Sequence, residues 1–398
     1  MRPVVIFIMI SVMVDAMGIG LIVPVMPDLL REINGTGLSQ AAIWGGVLAT
    51  SFAVMQFLFG PILGGLSDRY GRRPVILVSI LVAAIDYVVM ATTFSIWILL
   101  LARIVGGITA ATQSTASAYM ADISAPEERT KNFGLVGAAF GMGFVLGPLF
   151  GGLLAEYGTR APFWAAAGLS VVNAIFGWLV LKETVTPQNM RRFEWRRANP
   201  FGSFKHLGKL PGVRQLILVY FLYHVSFSVY PSVWAYFGQE QFGWSPSILG
   251  LSLGLFGITM ALVQGVFVRL SLSWFRERGT VVLGHFFAIS SYLTLGFLTS
   301  GPIALILTPV AALGGLIPIA LQGIMSQRVA NNAQGELQGA LTSASSLAMI
   351  LSPLTMTLTF SYFTKPDTPL YLPGAPFLVA FALMVLALGI FLIRKRAG

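Results

Sequence analysis

The chain contains no cysteine, and acids are scarce: 15 Asp and Glu among 398 residues. The first absence excludes a disulfide framework, a thiolate metal site and a cysteine nucleophile. Charge of either sign is thin, at 10% against roughly 25% in a soluble domain. Of three histidines, His206 lies in a loop and His285 near a helix end, so no Ser/His/Asp set or metal cluster forms and no enzyme is expected. No cofactor is expected either. What abounds is apolar: 56% of residues, with mean hydropathy +0.80. This composition describes a polytopic membrane protein.

A span needs about 20 apolar residues. Twelve segments qualify, at roughly 4–27, 41–63, 75–94, 96–118, 133–155, 161–181, 215–238, 247–268, 280–299, 302–326, 337–360 and 376–393. The first is too long for a signal-peptide core and lacks a small-residue cleavage site, so it reads as a retained helix. The net charge of +10 would suit nucleic acid, but its placement assigns it to one membrane face. Of 25 Lys and Arg, Arg31, Arg160 and Lys365 fall outside and Arg103 lies within a span. The other 21 face the cytoplasm if both termini do. The expected fold is therefore an all-α membrane protein of twelve transmembrane helices, in a bacterial-type inner membrane.

Residues 182–214 form the longest cytoplasmic connection, with Arg191, Arg192, Arg196, Arg197, Lys205, Lys209 and Arg214 interleaved with Phe193, Trp195 and Phe201. Such a segment suits an amphipathic linker lying on anionic lipid. It divides six-helix halves at 1–181 and 215–398. A faint repeat links them: Gly134, Gly147 and Pro148 recur 205 residues later as Gly339, Ser352 and Pro353. Duplicated transporter halves predict such matches.

Between spans two and three runs Gly64-Gly65-Leu66-Ser67-Asp68-Arg69-Tyr70-Gly71-Arg72-Arg73-Pro74, a short charged hairpin. It reads as a solvated turn that sets topology or as a conformational latch. Ionisable groups inside spans are expensive and mark function by default. Asp15, Asp86 and Arg103 are three, at ~16–18 Å from the cytoplasmic face by helical rise, near the midplane. Two acids and a guanidinium at one level suit proton coupling, with the arginine permanently charged. They would equally serve as a structural triad pinning spans one, three and four.

Span five carries Gly137, Gly141, Gly143, Gly147-Pro148 and Gly151-Gly152, which permit close packing and a bend. Span seven places Tyr220, Tyr223, His224, Phe227, Tyr230, Pro231 and Trp234 at spacings of three and four. That stripe could wall a pocket for a planar or cationic organic molecule, or pack as core. Gln56, Gln113, Asn173, Gln264 and Gln322 are further mid-span polar residues, either ligand contacts or interhelical glue.

These residues carry a resemblance. Gly64-x-Leu66-Ser67-Asp68-Arg69-x-Gly71-Arg72-Arg73 resembles the loop signature of the major facilitator superfamily, and Arg103-x-x-Gly106 its fourth-helix motif. Gly143-x-x-x-Gly147-Pro148-x-x-Gly151-Gly152 is similar to the fifth-helix motif of its drug/proton antiporters. Asp15-Ala-Met-Gly-Ile-Gly-Leu, Asp86-Tyr87, Phe242-Gly243-Trp244, Leu321-Gln322-Gly323 and Leu337-Gln338-Gly339 resemble the tetracycline/proton antiporter branch. The resemblance implies two pseudo-symmetric six-helix halves and proton-driven efflux by alternating access. It implies membrane-embedded roles for Asp15, Asp86 and Arg103, and a latch role for Asp68 against the helix starting near Leu337.

Three positions depart from that branch. Its ninth-helix aspartate has no counterpart in Phe286-Phe287-Ala288-Ile289-Ser290-Ser291. Its eighth-helix histidine is matched by Met260, and the lysine usual after the first loop glycine is Gly65. The expected function is proton-coupled efflux of an amphipathic, tetracycline-like small molecule by a chain that works as a monomer in lipid, without nucleic acid. Transport of a physiological metabolite or siderophore, and a non-transporting scaffold, remain alternatives.

Overall fold

A computed structural model describes residues 3–125, 127–186, 190, 193–194, 199–200, 213–330 and 333–393. Most of the basic stretch expected to lie on lipid falls outside these residues. The described elements are helical: α1 (Pro3–Ile22), α2 (Met26–Asn34), α3 (Leu38–Tyr70), α4 (Arg72–Thr92), α5 (Ile96–Thr109), α6 (Thr112–Ile123), α7 (Arg129–Leu154) and α8 (Ala161–Val180). After the linker come α9 (Arg214–Phe227), α10 (Val229–Phe242), α11 (Pro246–Leu262), α12 (Val268–Phe297), α13 (Gly301–Ala312), α14 (Leu316–Arg328), α15 (Gln334–Thr364) and α16 (Ala375–Leu392).

Among the described residues, eleven stretches are long and apolar enough to cross a membrane. One of them, Pro246–Phe297, has 52 residues and turns at Arg276 (φ 55°, ψ −178°), where Ser271 donates a hydrogen bond to Thr280 (2.9 Å). It supplies two passages, so the twelve-helix count stands. With no water in the hydrocarbon to satisfy amides, helices are the forms the apolar runs can take.

The chain clusters into two compact units. The first comprises Met1–Thr36, Ser51–Pro200 and Ser245–Gly254; the second comprises Gly37–Thr50, Phe201–Trp244 and Leu255–Gly398. In the first, Phe7, Ile8, Ile76, Tyr119 and Met120 form a core joining α1, α4 and α6. In the second, Val263, Val268 and Leu316 do so on a smaller scale.

Several passages expected to be continuous are interrupted. The fourth span breaks at Ala110–Ala111 between α5 and α6, and the tenth takes a 3-10 turn at Leu313–Gly315 before α14. The first has a 3-10 turn at Val23–Val25, and the seventh divides at Ser228. Ala110 and Gly315 stand 205 residues apart, as do Val23 and Ser228. So do two of the in-helix prolines, Pro148 and Pro353, and two of the positive-φ residues, Gly71 (φ 115°) and Arg276. The repeat suggested by a few glycines and prolines is thus a repeat of backbone interruptions.

Candidate functional site

In the first unit the three intramembrane charges separate into a pair and a single acid. Asp86 of α4, 5% exposed, forms an ion pair with Arg103 of α5. The guanidinium carbon also lies 5.1 Å from the Phe52 ring centroid. Asp86 Oδ1 and Arg103 Nε have no hydrogen-bond partner among the described residues. The glycines after Arg103 make room for the pair: a Cβ at Gly106 would sit 3.1 Å from Asp86 Oδ2, and one at Gly107 would meet the Phe52 backbone at 2.5 Å. The Arg-x-x-Gly-Gly pattern is therefore a seat for the carboxylate and for α3.

Asp15 of α1 has no ion pair among the described residues. Its carboxylate accepts a hydrogen bond from Thr112, the first residue of α6, and it lies near the Tyr87 hydroxyl. The Tyr87 ring reaches α1 so closely that a Cβ at Gly18 would come 2.5 Å from its oxygen. The break at Ala110–Ala111 is what places Thr112 there. Thr109 turns its hydroxyl back onto Val105 and Gly106 (3.1 and 3.2 Å), and the Ala111 amide bonds to the Thr109 carbonyl (2.7 Å). Broken membrane helices present positive half-helix ends to anionic groups. The sequence places all three charges at one depth but does not reveal this division, because the break has no proline or charge to mark it.

At the loop between α3 and α4, Asp68 pairs with Arg72, whose guanidinium also donates to Ser67 Oγ (2.6 Å) and Asp122 Oδ2 (3.2 Å). Arg73 donates to the Trp178 carbonyl (2.7 Å), and Arg69 lies over the Tyr70 ring. Ser67 closes the Gly64 turn by donating to its carbonyl (2.9 Å). Asp122 and Glu183 belong to this cluster, though the motif does not contain them. Their signal was that each acid ends a span on the face where the loop arginines lie.

Three of the α7 glycines face α1 in register, whereas Gly137 and Gly141, expected to permit close packing, have open space beside them. Cβ atoms at Gly143, Gly147 and Gly151 would collide with the carbonyls of Met13, Met17 and Leu21, and one at Gly20 would meet Pro148 at 2.6 Å. Gly152 instead faces Pro246 of α11.

In the second unit the aromatic stripe is largely core. Tyr223, Tyr230 and Trp234 are buried, and Tyr230 packs on Phe256 (5.1 Å), Tyr292 (5.6 Å) and Phe377 (5.9 Å). His224 and Phe227 are half-buried, with His224 4.4 Å from the Tyr220 ring. His224 Nε2 and the Tyr230 hydroxyl lack a hydrogen-bond partner among the described residues. Gln264 is exposed on a single π-turn, Val263–Phe267, a feature frequent at functional sites. Gln322 donates to Gln338 (3.2 Å), while Gln56 and Gln113 are exposed. Gly315, at the second unit's interruption, packs on the Met260 sulfur, where a Cβ would come to 2.5 Å.

Residues 8–353 match the model of the Major Facilitator Superfamily. The chain is 41% identical to the class C tetracycline resistance protein of Escherichia coli, with 88% of each chain covered. It is 37% identical to the class G tetracycline resistance protein of Vibrio anguillarum, with 91% of each covered. Among solved structures, the human organic anion transporter MFSD10 superposes with a TM-score of 0.70 at 24% identity, covering 98% of this chain and 99% of that one. The nucleoside transporter NupG superposes with a TM-score of 0.80 at 13% identity, covering 99% and 100%.

Proposed function

The chain belongs to the major facilitator superfamily, and we propose that it is a proton-coupled exporter of a small amphipathic drug of tetracycline-like chemistry, working by alternating access. The observation that carries the reading is the separation of two acids within the first unit. Asp86 is committed to Arg103, whereas Asp15 has no ion pair among the described residues and lies by the hydroxyls of Thr112 and Tyr87. A carboxylate beside a cation holds its charge, and one among neutral groups is free to gain and lose a proton. Asp15 is therefore assigned the transported proton, and the Asp86–Arg103 pair the fixing of α4 against α5. The relatives' names supply the substrate class.

In this reading the protein sits in a bacterial-type inner membrane with both termini cytoplasmic, works as a monomer and needs no cofactor beyond the coupling proton. The proposed substrate contacts are Gln56 and Gln113 of the first unit and, in the second, His224, Phe227, Gln264 and Gln322, with Tyr223, Tyr230 and Trp234 as the packed aromatic wall of α9 and α10. Asp68 and Arg72 form the latch. Asp68→Asn is expected to slow cycling while leaving drug affinity within about twofold, the size of a surface ion pair's effect. Equal losses of rate and affinity would remove the latch role.

The test is proton release from purified protein on addition of tetracycline, beside Asp15→Asn. Release abolished by the substitution supports the assignment, and release that survives it overturns it. A second reading, a substrate other than tetracycline, is favoured by the acid-free stretch Phe286-Phe287-Ala288-Ile289-Ser290-Ser291 and by Met260, where the branch carries ionisable groups. Silence with tetracycline and release with another compound would establish it.

A further inference from the structure

Helix α4 begins without a local cap. Gly71, with φ 115° and ψ 150°, contributes no side chain, and the first amides of a helix have no partner inside it. They are satisfied from 111 residues away. Glu183 Oε1 accepts the Arg72 amide (2.9 Å) and Oε2 accepts the Arg73 amide (3.2 Å). The same carboxylate accepts the amides of Thr184 and Val185 (2.9 Å each). A Cβ at Gly71 would collide with it, so the glycine answers to Glu183 as well as to its φ. A carboxylate is the favoured group at a helix N-terminus.

The neighbouring residues are fastened to the same cluster. The Tyr119 hydroxyl donates to the Lys182 carbonyl (2.6 Å), and Thr184 Oγ1 donates to Asp122 Oδ2 (3.0 Å), the oxygen that also accepts Arg72 Nε. Three successive residues at the start of the connection between the halves are thus bonded to the elements that hold Arg72.

We propose that Glu183 is a positioning residue of the latch: it supplies the cap that α4 lacks, and so makes the placement of Arg72 depend on the first residues of the connecting segment. The proposal rests on the transport reading only for its kinetic consequence. Glu183→Ala leaves the Arg72 and Arg73 amides open, and Arg72 then loses the fixed approach to Asp68 and Asp122. Glu183→Gln keeps one accepting oxygen and is expected to lie between the two.

The experiment is hydrogen exchange of the full-length protein in detergent, read on the peptide spanning residues 68–76, with drug-driven proton exchange in proteoliposomes measured on the same preparations. Glu183→Ala is expected to accelerate Arg72 and Arg73 amide exchange about tenfold, the loss of one helix cap, with Glu183→Gln intermediate. Turnover is expected to fall with drug affinity unchanged. Unchanged exchange in Glu183→Ala overturns the cap. Faster exchange with unaltered turnover overturns the link to the latch. If the wild-type protein moves no protons with any drug, the transport reading falls, and the exchange comparison still decides the cap. Should Glu183→Ala not fold, Glu183→Gln carries the same test.

Discussion

The two units repeat one helical plan at a spacing of 205 residues and fill it with different chemistry. Asp15, Asp86 and Arg103 of the first unit stand in register with Tyr220, Ser291 and Thr308 of the second. Gly18, which receives the Tyr87 hydroxyl, is matched by Tyr223, and Tyr87 by Tyr292. Thr112, at the start of the half-helix facing Asp15, is matched by Ile317. The interruption itself persists in both units, polar beside Asp15 in one and packed on the Met260 sulfur in the other. The backbone irregularities therefore belong to the fold. Chemistry is added to them one side chain at a time, and at these registered positions the first unit carries charge where the second carries Tyr220, Ser291 and Thr308.

The largest difference between the units is expected at the ion pair. Arg103→Ala leaves Asp86 buried and unpaired, and is expected to destabilise the protein by about 3–5 kcal/mol. Its counterpart Thr308→Val should cost about 1 kcal/mol, the value of one lost hydrogen bond. Thermal unfolding in detergent compares them, and equal losses would refute the assignment of the charged core to the first unit.

Next comes the lone acid. Asp15→Asn is expected to lower drug-driven proton exchange by about a hundredfold or more, the scale of a lost proton-transfer group. Tyr220→Phe, in the same register, should change it by less than about tenfold, since it removes at most a hydrogen bond. Assays in proteoliposomes with an imposed pH gradient give both numbers.

Smaller effects sharpen the contrast. The Tyr230 hydroxyl has no hydrogen-bond partner among the described residues and its ring belongs to the packed wall, so Tyr230→Phe should leave stability within about 0.5 kcal/mol and drug affinity within about twofold. Calorimetric titration beside a melting curve reads both. Finally, Arg276 occupies a backbone region nearly restricted to glycine, at the position where the first unit has Gly71. Arg276→Gly is expected to raise stability by about 1 kcal/mol, the lower end of such strain. A fall in melting temperature would show that the arginine side chain contributes more than its backbone costs.

Much of this was legible in the sequence. Long apolar runs fixed the passages, and mid-span charges and the looped arginines stood out because membranes make such residues costly. Glycine and proline spacing carried the repeat. What the sequence hid were properties of neighbours. Nothing local marks Ala110–Ala111 as a break, so the span reads as continuous. Depth alone cannot say which acid Arg103 selects. The aromatic stripe of α9 and α10 has the spacing of a pocket wall and of a core alike, and Phe256, Tyr292 and Phe377 decide for core over Tyr230. Glu183 looks like an ordinary linker acid until its distance to α4 is measured.

The glycine rail of α7 has a mechanical consequence. Gly143, Gly147 and Gly151 put backbone against the Met13, Met17 and Leu21 carbonyls, with no side chain interposed. Two helices in backbone contact along just over two turns have little room to slide past each other. Asp15 lies on the stretch of α1 so gripped, between Met13 and Met17. The acid proposed to carry the proton is therefore set in closely packed backbone, and the side chains beside it come from α4 and α6.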